Sequence, residues 1–95
     1  MIINELRDEV VKAVKEKYPK ERSLENRFID LHRNVGELGS SIQYRNGNYS
    51  KVHHDTLQHQ IASVMVDLFM ISDMIGANVE EELKLAIKWF KTGKK

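Results

Sequence analysis

Apolar residues at Leu24, Phe28, Leu31, Val35, Leu38 and Ile42 follow one another at intervals of 4-3-4-3-4. That spacing keeps one side of an α-helix apolar and does not suit a strand, whose side chains alternate with a period of two. Three further segments carry related patterns. Ile3, Leu6, Val10, Ala13 and Val14 form a stripe that stops before Tyr18-Pro19, because proline lacks the N–H and disfavours helix at the residue before it. Leu57, Ile61, Val64, Leu68, Ile71 and Ile75 form another, and Met65, Val66, Phe69, Met70 and Met74 make that helix apolar on more than one side. Val79, Leu83, Ala86, Ile87 and Phe90 form the last. Ser23 is placed as an N-cap, Gly76 as a left-handed terminator, and Asn78 as a second N-cap with Glu81 closing a capping box. The expectation is a single all-α domain over 1–95, a four-helix bundle with helices at about 3–17, 24–42, 53–75 and 79–91.

Length and composition agree. Ninety-five residues make one folding unit. With 41% hydrophobic but only 7% aromatic residues, the core must come from aliphatic side chains and Met. The 15 Lys+Arg against 14 Asp+Glu leave a charge of +1, which gives no general attraction to nucleic acid or membrane. The absence of cysteine excludes disulfides, thiolate catalysis and cysteine-held metal, and fits a reducing compartment. The run from Ile61 to Ile75 is broken by Ser63, Asp67, Ser72 and Asp73 and falls short of the roughly 20 residues that cross a bilayer. The start Met1-Ile2-Ile3-Asn4-Glu5 lacks the positive opening of a signal peptide, so the cytoplasm is the expected location. The third helix has too many apolar sides for a monomer of this size to cover, which predicts a homodimer or a tetramer.

Residues 43–51, with Asn46-Gly47 as the turn signal, are expected to form the one long loop. If helices two and three pack antiparallel about that loop, paired positions sum to about 97. Phe28 then meets Phe69 and Val35 meets Ala62, while Glu37 meets Gln60, Asn34 meets Ser63 and Asp30 meets Asp67. A polar seam inside apolar helices needs a function or a hydrogen-bonded layer to account for it.

At Leu31-His32-Arg33-Asn34-Val35-Gly36-Glu37-Leu38 the chain resembles the MazG-like all-α nucleotide pyrophosphohydrolases, and Gly76-Ala77-Asn78-Val79-Glu80-Glu81 is similar to a later segment of the same family. The resemblance runs from Phe28 to Lys88. It implies a Mg²⁺-dependent cleavage of a nucleoside triphosphate to a monophosphate and pyrophosphate, with carboxylates from two helices holding the metal. Of those ligand positions Glu37 keeps its acid, as catalytic and metal-binding residue, and Asn34, Gln60 and Ser63 occupy the other three. Mg²⁺ takes about six oxygens and favours carboxylates, so Asp67 and Asp30, which the pairing rule brings together near the seam, are expected to substitute. Arg33, Arg45, Lys84 and Lys88 are the phosphate-binding candidates. Losing about three negative charges also supports a second expectation, a catalytically inactive helical oligomer that binds nucleotide or protein. A nucleic-acid binder using Lys84, Lys88, Lys91 and Lys95 is the third, and the charge balance disfavours it.

The bland readings are specific too. Glu37 can pair with Arg33 one turn earlier, and Asn34, Gln60 and Ser63 can form a polar layer that fixes register. Gly36 and Gly39 suggest close helix approach. His53, His54, Asp55 and His59 read as solvated helix-start residues, since their spacing is not that of a zinc site. Tyr44, Arg45, Tyr49 and Lys51 could hold a nucleotide or merely seal the bundle end.

Overall fold

The computed structural model describes residues 3–46 and 54–94, with 44–46 and 54–55 described by their backbone alone. The described residues form four helices: α1 (Ile3–Lys17), α2 (Leu24–Asn46), α3 (His54–Ile75) and α4 (Val79–Thr92). The all-α four-helix expectation holds. The local signals act where they were read. The last backbone bond of α1 runs from the Tyr18 N–H to the Val14 carbonyl, just before the proline. The Ser23 hydroxyl accepts from the Asn26 N–H at 3.1 Å and starts α2. Gly76 takes φ +67°, with its N–H on the Asp73 carbonyl and the Ala77 N–H on the Ser72 carbonyl. This is the paired closure that lets a left-handed residue end a helix. Asn78 Oδ1 then accepts from the Glu81 N–H at 3.2 Å, opening α4, which leaves α3 at a bend of 111°.

Two boundaries differ from expectation, and one has consequences. α4 runs one residue further, to Thr92. α2 runs on through Gln43 to Asn46, because its polar end continues the helix after the apolar stripe stops. Part of the expected loop is therefore helix, and the midpoint between Asn46 and His54 falls at 50 instead of about 48.5. Register shifts accordingly. Asn34 does not meet Ser63. Its amide donates to Asp67 at 2.6 Å, a pair that sums to 101, one turn further on. The Asn48, Tyr49, Lys51 and His53 positions lie outside the described residues.

α3 is central, packed between α1 and α2. Val11, Leu57, Phe69 and Met70 form the buried apolar core, with Ser72 beside them donating to the Phe69 carbonyl. On α1 the buried position is Val11, with part-buried Arg7, Val10 and Val14, while Leu6 and Ala13 are exposed. The inward side of α1 includes Arg7, which donates to the Ala77 carbonyl at 2.8 Å and ties α1 to the α3–α4 turn. The Asn4 amide adds a bond to Asn78 Oδ1 at 3.1 Å.

On α2 the apolar stripe is split. Leu31 and Leu38 are part-buried with Arg27, Asp30, Asn34 and Ser41, whereas Leu24, Phe28, Val35 and Ile42 are exposed. Phe28 is 60% exposed and Phe69 6%, so the expected ring pairing is not made; the Phe28 ring lies 6.2 Å from that of His32. A Cβ on Gly36 or Gly39 would meet nothing within 4 Å, so these glycines do not serve close approach inside the chain.

Candidate functional site

Asp30 and Asp67, the carboxylates expected to meet, line one cavity of about 540 Å³. α2 and α3 form one side of it, Val14 of α1 another, and the connection carrying Tyr18, Lys20, Glu21 and Arg22 closes the end. That connection folds over the helices because Pro19 stops α1 and Ser23 starts α2 only a few residues later. Both acids are already engaged. Asp30 holds a tight ion pair with Arg22 and lies 4.0 Å from Arg33, one turn along α2. Asp67 accepts the Asn34 bond. Arg33 therefore pairs with Asp30 and not with Glu37.

Glu37 is exposed on α2 and lines neither this cavity nor the one beside it. Gln60 and Ser63 line a separate open hollow with Thr56 and His59. There the Ser63 hydroxyl donates to the His59 carbonyl at 3.1 Å, and Gln60 Oε1 is buried without a hydrogen-bond partner. The expected seam is thus divided: Asn34 joins the acids, Gln60 and Ser63 keep together one turn away, and Glu37 stands apart. Lys84 pairs with Glu80 at 3.9 Å on α4, and neither it nor Lys88 lines these cavities. The side chain of Arg45 lies outside the described residues.

A Mg²⁺ ion asks for about six oxygens with carboxylates among them. The cavity offers three carboxylates: Asp30 is held by an arginine, Asp67 by an amide, and Glu21 stands on the exposed connection. Among the described residues no three acids or histidines gather to hold a metal. Within one chain the donor set does not fit the magnesium site that the resemblance implies.

Two arginines were not singled out from sequence. Arg22 and Arg27 line both the acid cavity and a second one of about 380 Å³ on the Met70 and Met74 side of the same connection. Their signal was the cluster Lys20, Arg22, Arg27 around the only proline, which reads as a solvated connection until the fold lays it over α3.

The other chemically marked surface is apolar. Exposed Leu24, Phe28, Val35 and Ile42 run down α2, and exposed Ile61, Met65, Leu68 and Ile75 run down α3. At about 100° per residue, each stripe stands roughly a quarter turn from the part-buried face where the helices meet. In antiparallel helices equal rotations carry both stripes to the same side of the hairpin. α1 packs on the other side, where Lys15 reaches Asp73 at 3.4 Å and Val14 shares a cavity with Val66. One side of the hairpin is covered by α1; the other is a two-helix apolar face with no cover among the described residues. No family model, curated protein or solved structure matches this chain. The class defined by fold and surface is an all-α protein built on a helical hairpin with one uncovered apolar side.

Proposed function

We propose that the chain is a self-assembling helical module, in which two copies bring their α2–α3 hairpins face to face. One observation carries this reading: the uncovered apolar side of the hairpin, with Phe28, Val35, Ile61 and Leu68 on it. Surface area supports it. The chain exposes 7600 Å², against about 5,700 Å² for an ordinary monomer of 11.1 kDa. The excess of about 1,900 Å², to which the exposed Leu83, Leu85, Ile87, Trp89 and Phe90 of α4 also contribute, is more than twice the roughly 800 Å² that each partner buries in a standard interface. The Cα radius of gyration, 15.8 Å, also exceeds the about 12 Å expected for this length. A second hairpin laid on the first makes a four-helix core of eight apolar stripe residues per copy, and Gly39, which lies within the α2 stripe and has open space above it, then admits the partner closely. The occupant is a second copy because the patch is long and apolar and a two-fold interface needs only one such patch on each copy. Multi-angle light scattering at micromolar concentration should give twice 11.1 kDa or a multiple of that; a constant 11.1 kDa particle would refute the proposal. The cysteine-free sequence supports a reducing cytoplasm as its location.

The second reading is the nucleotide pyrophosphohydrolase of the resemblance, supported by Asp30 and Asp67 sharing a cavity with Lys20 and Arg27. A pyrophosphate-release assay over a nucleotide panel with Mg²⁺ and Mn²⁺ tests it. Turnover lost in Asp30→Asn and in Asp67→Asn supports it, and no turnover with any nucleotide removes it.

A further inference from the structure

Arg27 is the least explained charged residue in the fold. Its Nε is buried and has no hydrogen-bond partner, and among the described residues its guanidinium holds no carboxylate. It stands between the two cavities beneath the α1–α2 connection. The acid cavity is balanced, since Lys20, Arg22 and Arg27 face Glu21, Asp30 and Asp67. The other is not. Its four cations, Lys15, Lys20, Arg22 and Arg27, face two acids, Glu21 and Asp73, a net charge of +2. Of those cations Lys15 is taken by Asp73 and Arg22 by Asp30, which leaves Arg27 and Lys20 against Glu21, an excess of one positive charge. The rest of the wall is apolar: Tyr18, Pro19, Met70 and Met74.

We propose that this cavity, between the α1–α2 connection and α3, binds an organic oxyanion, a phosphate or carboxylate head on an aromatic or aliphatic body. Arg27 holds the head and Met70, Met74 and Tyr18 hold the body. A planar guanidinium offers paired N–H donors that match two oxygens of such a head. A volume of about 380 Å³ is within the range of small-molecule sites, and polarizable methionines accept varied apolar shapes. The site lies on the α1 side of the hairpin, away from the uncovered apolar face, so it does not depend on self-assembly.

The test is isothermal titration of the full chain with phenyl phosphate, benzoate, inorganic phosphate and benzyl alcohol. Phenyl phosphate or benzoate should bind at least about tenfold tighter than either half alone, because head and body contribute together. The tighter of the two names the head group. Arg27→Gln should weaken that binding at least about tenfold with the far-ultraviolet circular dichroism unchanged, and Arg27→Lys should restore part of it. Lys20→Met, on the exposed connection, provides a variant with no packing role and should weaken binding less. Inorganic phosphate binding as tightly as phenyl phosphate, Arg27→Gln binding unchanged, or no heat from either organic anion at millimolar concentration would each overturn the proposal.

Discussion

Phe28→Asp separates assembly from folding. The Phe28 residue is 60% exposed, and its only ring contact among the described residues is with His32 at 6.2 Å. In an isolated chain its replacement should change stability by no more than about 0.5 kcal/mol. In a two-fold assembly the arithmetic differs. A phenylalanine offers about 200 Å², so about 120 Å² per copy remains to be covered. At about 25 cal/mol per Å² that is about 3 kcal/mol per copy and about 6 kcal/mol across both. If half of it is realised, truncation weakens association roughly 100-fold, and a buried carboxylate adds a few kcal/mol more. The dissociation constant should therefore rise at least about a thousandfold. Light scattering across a dilution series reads the mass, and circular dichroism on the same samples reads the helix content. The expected result is an 11.1 kDa particle with its helices intact. A variant with wild-type mass and wild-type helicity would show that the hairpin face is not where copies meet.

Three further substitutions test the packing inside the chain. Gly36→Ala, placed in the Phe28→Asp background to exclude assembly, should stabilise by about 0.5–1 kcal/mol in urea unfolding, since α2 gains helix propensity and the new Cβ meets nothing within 4 Å; a loss of stability would mean that space is filled. Asn34→Ala should cost about 1–3 kcal/mol by leaving the part-buried Asp67 carboxylate without its 2.6 Å partner, and a double-mutant cycle with Asp67→Ala should show coupling of at least about 0.5 kcal/mol if that bond sets the register. Asn78→Ala should cost about 0.5–2 kcal/mol, because one side-chain oxygen caps α4 and also accepts from Asn4, and the loss should appear as a lower thermal midpoint.

What could be read from sequence divides by range. Ser23, Pro19, Gly76 and Asn78 act through bonds to residues a few positions away, so helix limits followed from local chemistry. Register did not, because it depends on where α2 stops. The apolar stripe ends at Ile42, yet Gln43 and the next three residues remain helical, and nothing in hydrophobic spacing reports a polar helix end. The 4-3-4-3-4 stripe marks one apolar side of α2 and does not say what that side faces. Its Leu31 and Leu38 do turn inward, but Leu24, Phe28, Val35 and Ile42 turn out, since a broad apolar arc says only that some cover exists and not whose. The polar seam was legible as composition and not as geometry: Asn34 with Asp67, and Gln60 with Ser63, are kept one turn apart. Arg27 carries no mark in the sequence, because a lone arginine near a connection is ordinarily solvated, and only the fold buries its Nε.

The two sides of the hairpin have opposite needs, and this explains why so small a chain leaves so much apolar surface open. Among the described residues, a core of four apolar side chains cannot by itself offset the ordering of four helices. Moving Phe28, Val35 and Leu68 inward would fill that deficit, but only by displacing Asp30, Asn34 and Asp67 from between α2 and α3. Those polar groups line or adjoin the cavity beneath the connection, and Asp30 keeps Arg22 and Arg33 in place. The fold instead keeps polar groups on the side that α1 closes and leaves an apolar share open on the other. In the proposed assembly a second copy covers that share without filling the cavities on the α1 side. The proposed interface and the proposed ligand site thus fall on opposite sides of one helical pair, and Asp67 and Leu68, adjacent on α3, mark the border between them.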